Sequence, residues 1–373
     1  GSGKSTTCKN IIHELTGRNI PVLVIEPAKD DYVRWAAEQN RHLPEEKQFR
    51  IFMPGHSEID GIKTEPLFLN PFQPGAVPGA KIDLLSRSEK LSALLNASLP
   101  VSDILPVIID ETVYHYMYQA YHRDFLAEEM EQPHAYPRLD GLKEMARQVL
   151  RMRGYERKVQ DNIGASLETR FQYLTRGSRG KILNAGHSTP WEHLFGQSAV
   201  INLSHITNAK DRALIMSVLM LSLYEYRMSA YEYDETYRKE AQKNRLMHLT
   251  VVEEAHNVLA NPGKDPGGSG NPQQTVADIF TNMLSEIRSY GEGLMIVDQV
   301  PTRLIPDVIK NTNYKIVHRL TAPDDCEVMA AGLALREEQK PLISALGIGN
   351  AIVCGDMDDA AAWVKMNFKA ESQ

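Results

Sequence analysis

Cysteine is scarce: Cys8, Cys326 and Cys354 are the only three in 373 residues. They are odd in number and far apart, so they can form neither a disulfide framework nor a CxxC metal pair. A reducing, cytoplasmic setting is expected. No apolar run reaches membrane-spanning length and no secretory signal can be read at the start, so no membrane partner is expected. An excess of positive charge is missing as well. Lys and Arg number 41 against 48 Asp and Glu, giving a net charge of −7. That excludes a chain-wide cationic coat for nucleic acid; any such contact must come from a local patch. The 12 histidines contain no HxxxH or HExxH pair on a credible helix, which removes the common zinc-hydrolase pattern. No solenoid-type repeat occurs. What remains is 42% apolar and 24% charged, an ordinary composition for one large α/β domain with insertions, or for two domains.

Residues 5–16 read as a helix stopped by Gly17. Pro21–Glu26 is a short apolar run ending in an acid and reads as a buried strand. Helix, turn and strand in that order predict an α/β core with a mainly parallel sheet. Residues 49–82 are rich in Pro and Gly and read as loop, with one strand at Phe49–Met53. Helical patterns dominate 83–175, including Lys90–Asn96, Val107–Tyr121 and Leu142–Arg153. Residues 83–190 are therefore expected to be an inserted helical subdomain between two parts of one core, 1–82 and 191–373. In the second part, Ala199–Leu203 reads as a strand and Asp211–Tyr226 as a buried helix. Residues 229–245 are polar and expected to be solvated, and Leu246–Val252 is another strand. Asn261–Gln274 is Gly-rich and expected to be a mobile loop. Val276, Ile279, Phe280, Met283, Leu284 and Ile287 fall at helical spacing. Strands are predicted at Leu294–Asp298, Lys315–Leu320, Asn350–Cys354 and Ala362–Met366.

The first seven residues, Gly1-Ser2-Gly3-Lys4-Ser5-Thr6-Thr7, match the second half of the pattern G-x-x-x-x-G-K-[ST]. Glycines let backbone N–H groups turn inward around phosphate oxygens, and the positive end of the following helix points at the same oxygens. Gly1, Ser2, Gly3, Lys4, Ser5 and Thr6 are thus candidates to bind a nucleotide triphosphate. Lys4 would reach the β- and γ-phosphates and the Ser5 hydroxyl would ligate Mg²⁺. A strand is expected upstream of Gly1. Two stretches compete for the acidic partner motif. Val107-Ile108-Ile109-Asp110-Glu111 has the better text. However, Pro106 and the helical spacing beyond Glu111 make its acids first-turn residues of a helix. Glu253 and Glu254 instead close a buried strand, where ligands bind in open α/β sheets. There Glu253 would serve the Mg²⁺ and Glu254 would activate the attacking water. Gln299, at the tip of the next strand, could sense the γ-phosphate. Arg288 could reach the γ-phosphate of an adjacent subunit, with Arg303 and Arg319 as rivals. Cys8, beside the phosphate loop, reads as a small buried residue.

Several of these motifs recur together in one known family. Gly3-Lys4-Ser5-Thr6, Val24-Ile25-Glu26-Pro27, Asn70-Pro71-Phe72, Val251-Val252-Glu253-Glu254-Ala255-His256-Asn257, Glu286–Gly291, Asp298-Gln299-Val300-Pro301 and Arg319–Asp325 occur in order. Together they resemble the HerA branch of the HerA/FtsK ATPases over nearly the whole chain. The resemblance implies a RecA-like P-loop core, a homo-hexameric ring that hydrolyses ATP between subunits, and a DNA translocase or helicase acting on double-stranded DNA. It also implies a nuclease or sirtuin-like effector partner, in DNA processing or antiviral defence. By motif it makes Glu254, Gln299 and Arg288 catalytic and places Glu26 near the nucleotide. Glu253 stands where the family has Asp. An N-terminal barrel is expected upstream of Gly1. Two other functions share this core: a nucleotide-gated ring scaffold for an effector, and a conjugative secretion ATPase. For DNA contact, Arg170, Arg176, Arg179 and Lys181 form the densest basic cluster, with Arg147, Arg151, Arg153, Arg157 and Lys158 as a second set. Both are also readable as solvated surface.

Overall fold

The computed structural model describes residues 3–99, 104–120, 129–130, 136–243, 245–261, 272–356 and 358–366. Its centre is a five-stranded, all-parallel sheet in the order β2-β7-β1-β8-β9. These strands are β1 (Val22–Glu26), β2 (Arg50–Phe52), β7 (Ala199–Asn202), β8 (His248–Glu253) and β9 (Glu292–Val297). The numbering follows the chain. β3 (Glu58–Ile59) and β4 (Ile62–Lys63) form a small hairpin, and β5 (Ile82–Asp83) pairs with β6 (Glu129–Met130).

Side-chain alternation along the strands feeds two cores. Val22, Val24, Ile51, Val200 and Val251 face one side, covered by Cys8 and Ile12 of α1 (Lys4–Gly17) and by Tyr32, Val33 and Ala36 of α2 (Asp31–Asn40). Leu23, Ile25, Phe52, Ile201 and Val252 face the other. Because both faces are covered, the strands read as continuous apolar runs. The second face packs into one large cluster with helices α3 (Leu84–Ser98), α4 (Leu105–Ala120), α5 (Leu142–Met152), α6 (Arg157–Thr175), α7 (Gly177–Leu183), α8 (Ala209–Tyr233) and α10 (Pro272–Glu286). The helices of 84–183 therefore share a core with the sheet. α8 is apolar almost all round because it is buried all round. Its start is set by Asn208, whose side chain accepts from the Lys210 N–H at 2.9 Å.

Beyond β9 lie α11 (Pro306–Asn311) and a separate antiparallel sheet, β10 (Lys315–Val317), β11 (Asn350–Cys354) and β12 (Ala362–Lys365). α12 (Pro323–Gly332) and α13 (Pro341–Ala345) pack on it around Val317, Ala330, Leu333 and Ile352.

Three expectations need correction. Asp110 and Glu111 lie in the second turn of α4, because Pro106 is its second residue rather than the one before it. Glu111 is bound to Arg153. The polar run 229–245 is largely helical, in the end of α8 and in α9 (Glu235–Ala241), and Ser229, Ala230 and Ala241 are buried. The strand predicted at Lys315–Leu320 stops at Val317, and His318 beyond it is buried. The predicted mobile loop of 261–274 lies mostly outside the described residues. No described helix is long and apolar enough to cross a membrane.

A candidate nucleotide site at the ends of the parallel strands

β1, β8 and β9 end on the same side of the sheet, where α1 begins. Gly3 precedes the helix with φ 107°, a left-handed conformation that glycine takes without penalty, and the chain turns directly into Lys4. The concavity between these ends holds about 360 Å³. It is lined by Gly3, Lys4, Ser5 and Thr6 from the helix start, by Glu26 and Tyr32, and by Glu253, Glu254 and Gln299. The structure thus gathers every predicted nucleotide and metal residue that it describes into one cavity, together with Glu254 and Gln299. Gly1 and Ser2 lie outside the described residues.

Lys4 is half-buried, and its ammonium donates to the Asp298 carbonyl oxygen at 2.9 Å. Burial lowers its pKa, while Glu253, Glu254 and Asp298 oppose that shift. Glu253 accepts from the Tyr32 hydroxyl at 2.6 Å. Burial raises the pKa of this carboxylate, against the pull of Tyr32 and Lys4. Burial also pushes the Tyr32 phenol far up, so it stays a donor. Glu254 takes φ 47° and ψ 51°, a left-handed conformation uncommon for a non-glycine residue. Asn257 secures it, its backbone N–H and side-chain amide donating to the Glu254 carbonyl oxygen at 3.0 and 2.7 Å. The turned carboxylate then accepts from the Gln299 amide at 2.6 Å. Neither acid of the pair is held by an arginine among the described residues, so both face the cavity as acceptors.

Glu26 is buried at the end of β1. It accepts from the Tyr32 N–H at 3.2 Å and from Asn202 at 3.1 Å. Burial raises its pKa to about 7 despite these donors. The Cys8 thiol is pushed up to about 12 by burial and is no nucleophile.

Arg288 is not part of this assembly. It is exposed in the short turn Ile287–Tyr290 that leads into β9, at the opposite end of that strand from Gln299. Six residues of strand separate the two ends, roughly 20 Å. Arg303 and Arg319 are also exposed, both beyond the strand ends.

Of the basic cluster proposed for DNA, Arg179 is withdrawn. It is buried, paired with Asp211 and the Tyr173 carbonyl, and its guanidinium lies 3.6 Å from the Tyr173 ring centroid. Arg170 bonds within its own helix to Ser166, whereas Arg176 and Lys181 are exposed. In the second set, Arg147, Arg151 and Arg153 are engaged by Glu144, Glu168 and Glu111.

Sequence reasoning missed Tyr32, Asn202 and the role of Asp298. Asp298 shapes the turn, accepting from the N–H groups of Gln299 and Val300 at 2.8 and 2.9 Å through one oxygen. Its other oxygen takes the His256 N–H at 2.9 Å. Glu254, His256 and Asp298 also present donor atoms close enough to share a cation. Only Asp298 carried a usable signal, as an acid at a strand tip before a Pro turn.

No family model matches the chain. A segment of 120 residues is 31% identical to the probable DNA double-strand break repair helicase HerA of Methanocaldococcus jannaschii, taking in 32% of this chain and 22% of that protein. A similar segment of 123 residues is 32% identical to the DNA double-strand break repair helicase HerA of Pyrococcus furiosus, 32% of this chain and 21% of that one. The match thus spans about a fifth of those relatives. The fold is shared much more widely. VirB4 of Thermoanaerobacter pseudethanolicus superposes with a TM-score of 0.65 over 98% of this chain and 87% of its own, at 12% identity. The plasmid coupling protein TrwB, solved with a GTP analogue, superposes with a TM-score of 0.60 over 99% and 84%, at 10% identity. The chain is thus similar to the HerA helicases over about a third of its length, and it shares the fold of VirB4 and TrwB.

Proposed function

We propose that the chain hydrolyses MgATP and couples the reaction to movement along double-stranded DNA, as one subunit of a homo-hexameric ring. The observation that carries this reading is the convergence of Lys4, Glu253, Glu254 and Gln299 on one cavity at the start of α1. The donor set suits a triphosphate with its metal. Lys4 is a part-buried cation at a helix start, and Ser5 and Glu253 supply the hydroxyl and carboxylate oxygens that Mg²⁺ takes. When bound, the ion neutralises charge on the phosphate oxygens. The other duties fall to the chain. Lys4 and the N–H groups of α1 hold the phosphates. Glu254 takes the proton of the attacking water, and Gln299, already bonded to Glu254, orients that water against the γ-phosphate. Ile348, 82% exposed and lining the same cavity, offers an apolar wall to the base. Arg288 cannot serve the site of its own chain from the far end of β9, so it serves a neighbour's.

The helicase names of the relatives support DNA as the track, and a nuclease or sirtuin-like effector, in DNA processing or antiviral defence, completes the proposal. The test is ATP turnover of Glu254→Gln with and without duplex DNA. Loss of a general base lowers turnover roughly 10²–10⁴-fold, while nucleotide binding is retained. Wild-type turnover should rise with duplex DNA and lose that stimulation as salt increases. Stimulation by an effector but not by DNA would instead identify a nucleotide-gated scaffold. Unchanged turnover in Glu254→Gln would remove the assignment of the base.

A further inference from the structure

The left-handed backbone at Glu254 fixes the direction of its Cα–Cβ bond and nothing beyond. The side-chain torsions remain free to rotate, and a carboxylate spread over several rotamers would face the attacking water only part of the time. Two neighbours restrict it. The Gln299 amide donates to Oε1 at 2.6 Å. The other oxygen, Oε2, faces the imidazole of His256, whose Nδ1 lies 3.6 Å away. That is too long for a hydrogen bond but well within electrostatic reach.

His256 is itself anchored. Its backbone N–H and its Nδ1 both lie 2.9 Å from Oδ2 of Asp298. The other Asp298 oxygen accepts from the N–H groups of Gln299 and Val300, and the side chain is only 3% exposed. A carboxylate that collects three backbone N–H groups acts as an acceptor, so Nδ1 carries the ring hydrogen. That hydrogen lies beside a second carboxylate as well. An oxygen of Asp298, an oxygen of Glu254 and an imidazole nitrogen of His256 all fall within 4.8 Å of one another. Two carboxylates at that spacing repel unless a donor stands with them. Asp298 cannot yield, because the turn holds its side chain and its carbonyl oxygen takes the Lys4 ammonium at 2.9 Å. Glu254 would move instead, away from Asp298 and from the strand tip that carries Gln299.

We propose that His256 is a positioning residue for the water-activating base. Anchored on Asp298, its Nδ1–H offsets the repulsion between the two carboxylates and keeps Glu254 turned toward Gln299. His256 does not line the nucleotide cavity, so it acts on the reaction through Glu254. The inference rests on the ATPase reading and adds to it the group that orients the base.

Three substitutions separate the Nδ1–H from the ring, each read as steady-state ATP turnover of the whole chain. His256→Phe keeps a ring and removes both nitrogens. His256→Gln puts an amide near the Nε2 position, too far along to replace Nδ1. His256→Asn puts its amide N–H where Nδ1 stands. The first two should lower kcat by about 10- to 100-fold with KM nearly unchanged, as expected for a base out of line rather than for weaker nucleotide binding. The third should recover most of the wild-type kcat. In a Glu254→Gln background no base is left to orient, so His256→Phe should cause no further loss. An unchanged kcat in the first two overturns the proposal. So does an equal loss with His256→Asn, a change confined to KM, or a His256→Phe loss that multiplies in full with that of Glu254→Gln. If His256→Phe does not fold, the contrast between His256→Gln and His256→Asn decides. Glu254→Gln alone is read first: wild-type turnover there removes the base itself, an outcome distinct from failure at position 256.

Discussion

Glu26 shows how burial sets chemistry at a single position. Its carboxyl is enclosed at the end of β1, and its pKa of about 7 lies above the ordinary 4.5. Between those two values the folded chain holds a proton that the unfolded chain has released. Stability therefore falls as pH rises through that window and levels off above it. Glu26→Gln removes the dependence. The wild type should lose up to about 3 kcal/mol relative to this variant across the window, measured by urea unfolding at a series of pH values. A difference between the two proteins that stays constant with pH would show that Glu26 is ionised throughout. Glu254 makes the complementary point, since its left-handed backbone aims its carboxylate at Gln299. That conformation is invisible in the string Glu253-Glu254-Ala255, which is why the sequence could nominate the acid but not the contact.

At the scale of elements, legibility followed burial. β1, β7 and β8 are covered on both faces, and their apolar runs announce them; the wide apolar surface of α8 did the same. Elements whose position depends on distant chain were harder to read. The partners of Glu253 and Glu26 come from α2 and β7, brought in by the crossovers of a parallel sheet, and no local spacing encodes them. Arg179 looked like an exposed loop cation because Gly177 and Gly180 flank it, yet Gly180 lets the turn close against Thr175 and bury the guanidinium. Glycine has a similar packing duty where the loop before α3 crosses α8. A Cβ on Gly75 would lie 1.8 Å from the Ser222 carbonyl oxygen, and the Gly75 N–H donates to Glu225 at 3.0 Å. Gly75→Ala should push the loop off α8 and destabilise the fold by about 1–3 kcal/mol, read as a lower urea midpoint with an unchanged slope.

For the whole molecule, the separation of Arg288 from the cavity yields a mixing experiment. Under the proposed ring, each site takes Lys4 from one subunit and Arg288 from the next. Lys4→Ala and Arg288→Ala subunits should each be inactive alone. Mixed in equal amounts, they form interfaces of which about a quarter carry both residues, so ATP turnover should recover toward that fraction of wild type. No recovery on mixing would place the arginine's duty within its own chain.

The two hydrogen bonds made by the first turn of α1 bear on how this protein can be divided. That turn clasps the tail of β9 through Lys4 and the tail of β10 through Thr7. A fragment ending before residue 312 would retain Lys4, Glu253, Glu254 and Gln299, yet it would leave Thr7 without His318 and remove one wall of the apolar cavity of about 890 Å³ between residues 294–297 and 314–317. The C-terminal sheet is accordingly a bracket for the phosphate loop rather than a detachable appendage, and excising it would slacken the grip on a nucleotide while leaving every residue proposed to hold its phosphates in place, Ile348 being the one lining residue lost.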